Sequence, residues 1–81
     1  MAKILICDDE AGLRAVIKRY AIFEGHEVTE AGDGMEAVEL CRNNSFDIII
    51  MDIMMPELDG FSAVKEIRKT SDTPVIMLSA R

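Results

Sequence analysis

Three short apolar runs do most to limit what this chain can fold into: "KILIC" (Lys3–Cys7), "DIIIM" (Asp47–Met51) and "PVIML" (Pro74–Leu78). Each is a block of aliphatic or β-branched side chains with no polar alternation. A strand reads this way when it lies in a parallel sheet covered on both faces. A fourth candidate, "HEVTEA" (His26–Ala31), alternates and suits a sheet edge. Helical patterns fill the gaps. Leu13, Val16, Ile17, Tyr20 and Ala21 recur at helical spacing before Gly25, a stop signal. Ala37, Val38 and Cys41 form a second stripe behind Asp33 and Glu36, which are spaced as an N-cap and its capping-box partner. Phe61, Val64 and Ile67 form a third, with Asp59 as cap and Pro74 beyond its end.

Strands and helices therefore alternate from the first strand to the fourth, which predicts an α/β fold with a parallel sheet. Crossovers between parallel strands are right-handed. With the most apolar strands inside and the alternating one at an edge, the expected order is 2-1-3-4. The chain then reverses direction between strands one and three, and open α/β sheets bind ligands in the crevice outside the carboxyl ends of such a pair.

The chain has 81 residues, enough for one small domain. Its 15 acidic and 9 basic residues leave a net charge of −6, so no nucleic-acid binding is expected through this chain itself. The start "MAKILICDDE" is too short for a signal peptide, no run approaches a membrane span, and a cytoplasmic location is expected. Cys7 and Cys41 sit within apolar patterns without metal spacing and read as reduced core residues.

Acids stand where the strands end. Strand one runs into Asp8 and Asp9, strand three into Asp52, and strand four into Ser79. Two carboxylates about 5 Å apart at an effective dielectric near 20 repel by roughly 3 kcal/mol. Three together call for a cation, and an all-oxygen set suits Mg²⁺, which commonly shares its shell with phosphate. The reading is a Mg²⁺ site that handles a phosphoryl group, with one acid free to attack phosphorus. Blander roles compete for some of these residues. Asp8 and Asp9 could serve only as helix caps. Asp59 is assigned to a cap, His26 to a solvated connection, and Met54 and Met55 to packing.

With those residues in view, the chain resembles the receiver domain of two-component response regulators. The likeness is carried by "ILICDDE", "AGDGMEAVEL", "FDIIIMDIMMPELDG" and "TPVIMLSAR", and it extends over essentially all 81 residues. The resemblance implies a flavodoxin-like fold and a signalling module, not an enzyme. Asp52 matches the phosphoacceptor, modified by a phosphohistidine on a sensor histidine kinase. Asp9 and Asp52 match side-chain ligands of Mg²⁺, the backbone carbonyl of Met54 a third ligand, and Asp8 the companion acid. Ser79 matches the switch hydroxyl and Ala80 its small neighbour, while Pro56 and Gly60 match residues shaping the loop before the third helix. "TPVIMLSAR" is similar to receivers that precede winged-helix DNA-binding domains.

Receivers of this kind continue through a fourth helix, a fifth strand and a fifth helix, and carry a lysine at the end of that strand. The sequence stops at Arg81, so residues 1–81 read as the first two-thirds of a receiver with no second domain, impaired in phosphorylation and output. Self-association through the strand-four edge and an uncovered sheet face is expected. Other readings follow the same residues. One is a fragment acting only in assembly or folding. Another is a Mg²⁺-dependent phosphohydrolase with an aspartyl nucleophile, which would want an acid where Met54 stands. A nucleotide or flavin binder would want a phosphate-cradling glycine loop where "CDDEAG" stands.

Overall fold

A computed structural model describes residues 1–78. Its elements are β1 (Lys3–Cys7), α1 (Ala11–Phe23), β2 (Glu27–Ala31), α2 (Gly34–Asn43), β3 (Ile48–Asp52), α3 (Gly60–Ile67) and β4 (Val75–Leu78). The strands form one parallel sheet in the order β2-β1-β3-β4, as the apolar runs require. Strand three starts one residue later than its apolar run and takes in Asp52, which pairs with Leu78.

The register sorts side chains by face, because alternate residues of a strand point to opposite sides. Leu5 lies beside Ile49, and Cys7 beside Met51, which in turn neighbours Met77. With Ala37 and Val38 of α2 and Ala63 and Ile67 of α3, they form the main core. Ile4, Ile6, Ile48, Ile50 and Ile76 alternate to the other face. There α1 packs against β1 and β2. Ile6 is fully buried, whereas Ile76 on the outermost strand is 50% exposed.

The helix ends follow the sequence signals. Asp33 accepts a hydrogen bond from the Glu36 amide at 2.8 Å, and Asp59 accepts from the Ser62 amide at 2.9 Å. The Glu36 carboxylate answers at 2.8 Å from the Gly32 amide, one residue earlier than in the standard capping box. Gly25, with φ of 87°, turns the chain out of α1.

Three packing expectations need correction. Val16 and Tyr20, placed on the buried stripe of α1, are exposed, and that helix has no fully buried residue. Among the described residues the helix packs mainly over β1 and β2, so its stripe meets chiefly that part of the sheet. Phe61 is also exposed, because the buried line of α3 runs through Gly60, Ala63 and Ile67. The Met54 side chain, expected to pack, points outward, and only Met55 is buried. Cys7 is buried and Cys41 half-buried, both with free thiols. His26 is partly buried and has a structural role, its Nδ1 accepting the Ala2 amide at 3.0 Å.

Candidate metal centre

The parallel strands deliver Asp8, Asp9 and Asp52 to one end of the sheet. Asp8 follows β1, and its amide donates to the Ala31 carbonyl of β2 at 3.2 Å, extending that pairing by one residue. Its Oδ1 accepts the Glu10 amide at 2.8 Å, which bends the chain tightly into α1. Helix α1 takes Glu10 as its N-cap residue and receives no side-chain cap there. The capping alternative for Asp8 is thus replaced by a turn two residues long. Asp52 closes β3, with the next amide, that of Ile53, donating to the Leu78 carbonyl at 3.2 Å.

Carboxylate oxygens of Asp8, Asp9 and Asp52 all lie within 4.8 Å of one another. Asp8 and Asp52 are buried and Asp9 is exposed, so the cluster has a closed floor and an open side. A dense set of hard oxygen donors with one face to solvent fits Mg²⁺, which keeps several waters when it binds. Asp52 Oδ1 also accepts the Met54 amide at 3.2 Å, tying the following loop to the acid that starts it.

That loop runs from Ile53 round to α3 and closes on itself. The Gly60 amide donates to the Ile53 carbonyl at 2.9 Å. A Cβ on Gly60 would stand 2.8 Å from the Ile53 Cα and 2.9 Å from the Asp52 carbonyl carbon. Only glycine lets α3 begin this close to the acid-bearing backbone. Glu57, within the turn, adopts a left-handed φ of 65°.

Under the acids lies sulfur. Cys7 Sγ contacts the Asp33 carbonyl at 3.3 Å and Met55 Sδ at 3.6 Å. Burial, reinforced by the negative charges of Asp33, Asp8, Asp52 and Glu36, pushes its thiol pKa up to about 12. A neutral, buried thiol is neither nucleophile nor metal ligand at pH 7.

Sequence reasoning passed over Arg14, which touches the cluster, and Lys18, which shares its partner Glu30. Arg14 of α1 donates from Nη1 to the Asp8 carbonyl and from Nε to Glu30 Oε1 of β2 at 3.2 Å. Lys18 reaches the other oxygen of Glu30 at 3.2 Å. The Lys18 hydrogen bond first, and that of Arg14 against some desolvation, hold the Glu30 carboxyl below its usual range. The available signal was a basic pair, Arg14 and Lys18, four apart and flanking the apolar stripe of α1. Ser79 and Ala80 lie outside the described residues. Among the described residues no helix is long and apolar enough to cross a membrane.

Known proteins share this sequence pattern and fold. A probable transcriptional regulator, ycf27, from Guillardia theta is 47% identical over 78 residues, which is 96% of this chain and 31% of that protein. The chain thus spans about a third of the length of the curated relatives it matches. Among solved structures, the receiver domain of the Francisella response regulator 1452 has a TM-score of 0.93 and 43% identity, covering 99% of this chain and 67% of that one. The response regulator TrrA from Thermotoga maritima, in complex with Mg²⁺–BeF, has a TM-score of 0.91 and 35% identity, covering 100% of this chain and 71% of that one. The family model described as the response regulator receiver domain matches residues 4–81. The convergence of acids at the sheet's end therefore has its family: this chain belongs to the response regulator receiver domains, the signalling modules of two-component systems.

Proposed function

We propose that this chain is a phosphoacceptor, with Asp52 receiving a phosphoryl group from a phosphohistidine of a sensor histidine kinase. The observation that carries the reading is the meeting of Asp8, Asp9 and Asp52 within 4.8 Å at the carboxyl end of the sheet. Asp9, Asp52 and the Met54 carbonyl are the groups that would hold Mg²⁺, with Asp8 as the companion acid. When bound, the metal supplies positive charge that offsets the acids and the phosphoryl oxygens. The likeness to TrrA, a chain solved with Mg²⁺–BeF, supports that assignment.

The chain's own part is to aim and to constrain. The β3 backbone and the Met54 amide orient the Asp52 carboxylate, the group that would attack phosphorus. A P–O bond to Asp52 forms as the P–N bond of the phosphohistidine breaks, the imidazole leaves, and an acyl phosphate remains. That group carries about −1.5 to −2 charges and recruits nearby hydrogen-bond donors. Ser79 is assigned the switch hydroxyl and Ala80 the space beside it. The change in charge would bias a two-state equilibrium read by an output partner. The relatives named as transcriptional regulators support a transcriptional output for that equilibrium.

The 81-residue chain is also proposed to self-associate, through the β4 edge and the face bearing Ile48, Ile50 and Ile76. Ile76 is the specific support, half exposed on the outermost strand.

Incubation with Mg²⁺ and acetyl phosphate, followed by intact mass, tests the acceptor role. A single phosphoryl adduct on the wild type, missing from Asp52→Asn, is expected. Repeated turnover of the donor would favour a phosphohydrolase. No adduct on either protein would favour a chain active only in assembly.

A further inference from the structure

We propose that Arg14 is a positioning residue for the acid cluster, holding the Asp8–Asp9 peptide in the plane that aims Asp9 at Asp52. The inference rests on the metal-site reading above and adds to it a part that lies outside the acids themselves.

The Asp8 carbonyl and the Asp9 amide share a plane, so fixing that carbonyl oxygen fixes the direction in which residue 9 leaves the strand. Arg14 Nη1 donates to this oxygen. The amide on the other side of Asp8 is already held by Ala31, and its Oδ1 by the Glu10 amide. Arg14 therefore adds a side-chain constraint from α1 to a turn of two consecutive acids. Asp9 is the exposed member of the three.

The guanidinium is anchored in turn. Its Nε donates to Glu30, whose second oxygen takes Lys18, and the Arg14 side chain is only 17% exposed. Three elements meet through one planar fork: the end of β1, the end of β2 and the first turns of α1. A guanidinium can serve a carbonyl and a carboxylate at once with fixed geometry, which a lysine ammonium does less well. Groups that orient metal ligands in this way commonly change metal affinity by roughly 10-fold or more when removed.

The sign of the effect separates this role from simple charge. Arg14 is a cation beside three acids. By Coulomb's law alone, its removal should make Mg²⁺ bind more tightly. Loss of a positioning contact should make it bind more weakly.

Mg²⁺ affinity is measured by calorimetry at fixed ionic strength for wild type, Arg14→Met, Arg14→Lys and Glu30→Gln, with metal-free melting curves alongside. Positioning predicts affinities reduced roughly 10-fold in Arg14→Met, with Arg14→Lys intermediate and Glu30→Gln also reduced. A merely structural role would lower the melting temperature and leave the affinity of the folded fraction unchanged, overturning the inference. Tighter binding in Arg14→Met would overturn it as well. A wild type that takes up no Mg²⁺ would instead overturn the metal-site reading beneath it. Should Arg14→Met fold poorly, Glu30→Gln leaves the Asp8 contact in place but unanchored. Its Asp9 and Glu10 amides should then exchange hydrogen faster than in the wild type, and unchanged exchange would count against the proposal.

Discussion

Asp52→Asn should make the metal-free chain more stable, even though it removes the residue on which the proposed activity depends. The oxygens of Asp8 and Asp52 lie within 4.8 Å and both side chains are buried. At an effective dielectric near 20, two like charges at that distance repel by about 3.5 kcal/mol. Asp9 adds less, because its exposure places it near water's dielectric. Among the contacts that stand against this gain is the charge-assisted bond from the Met54 amide, which the neutral carboxamide keeps in weaker form at a cost of about 1 kcal/mol. The net expectation is a stabilisation of about 1–3 kcal/mol. For a domain of this size each kcal/mol moves the melting temperature by about 4–8 °C. Melting in EDTA should therefore rise by roughly 4–24 °C in Asp52→Asn. Mg²⁺ should then reverse the ranking in part: at ten times its Kd it stabilises the wild type by about 1.4 kcal/mol, and the variant by less. A variant that melts at or below the wild type in EDTA would refute the reasoning. It would mean that the acids are not in mutual repulsion in the folded chain.

Other outcomes follow from particular contacts. Gly60→Ala would force a methyl against the backbone of Asp52 and Ile53, and should cost about 1–3 kcal/mol in urea unfolding. The raised Cys7 pKa means the folded state holds its proton where the unfolded chain releases it. The resulting stability is complete below about pH 9 and is lost as pH climbs towards about 12. Cys7→Ser should flatten that alkaline decline relative to wild type in pH-dependent melting. Sedimentation of the 81-residue chain at micromolar concentration should show association, and Ile76→Lys should reduce it. A compact monomer throughout would contradict the edge argument.

Much of this architecture can be read from local pattern. The apolar runs mark β1, β3 and β4 to within a residue, although only β1 and β3 are well buried and β4, at the sheet edge, has no buried residue. Asp33 and Asp59 cap α2 and α3 because an oxygen three residues ahead of an amide meets one of the helix's unbonded donors. The acid cluster is legible one step further on, since strand order alone carries Asp8, Asp9 and Asp52 to the same end. What escapes is set by distance in the chain and by coverage. The contact of Arg14 with Glu30 joins residues 16 apart, and its bond to the Asp8 carbonyl has no side-chain partner in the sequence to announce it. The exposure of Val16, Tyr20 and Phe61 depends on what lies opposite each helix, which periodicity does not specify.

The central claim is that Asp52 itself carries the phosphoryl group. Borohydride reduction converts an aspartyl phosphate to homoserine, and so writes the site of modification into the chain. After incubation with Mg²⁺ and acetyl phosphate, reduction and peptide mass mapping should find homoserine at position 52 and at no other acid, with none formed in EDTA. Homoserine at position 8 or 9, or an unmodified position 52 in a chain that binds Mg²⁺, would contradict the account.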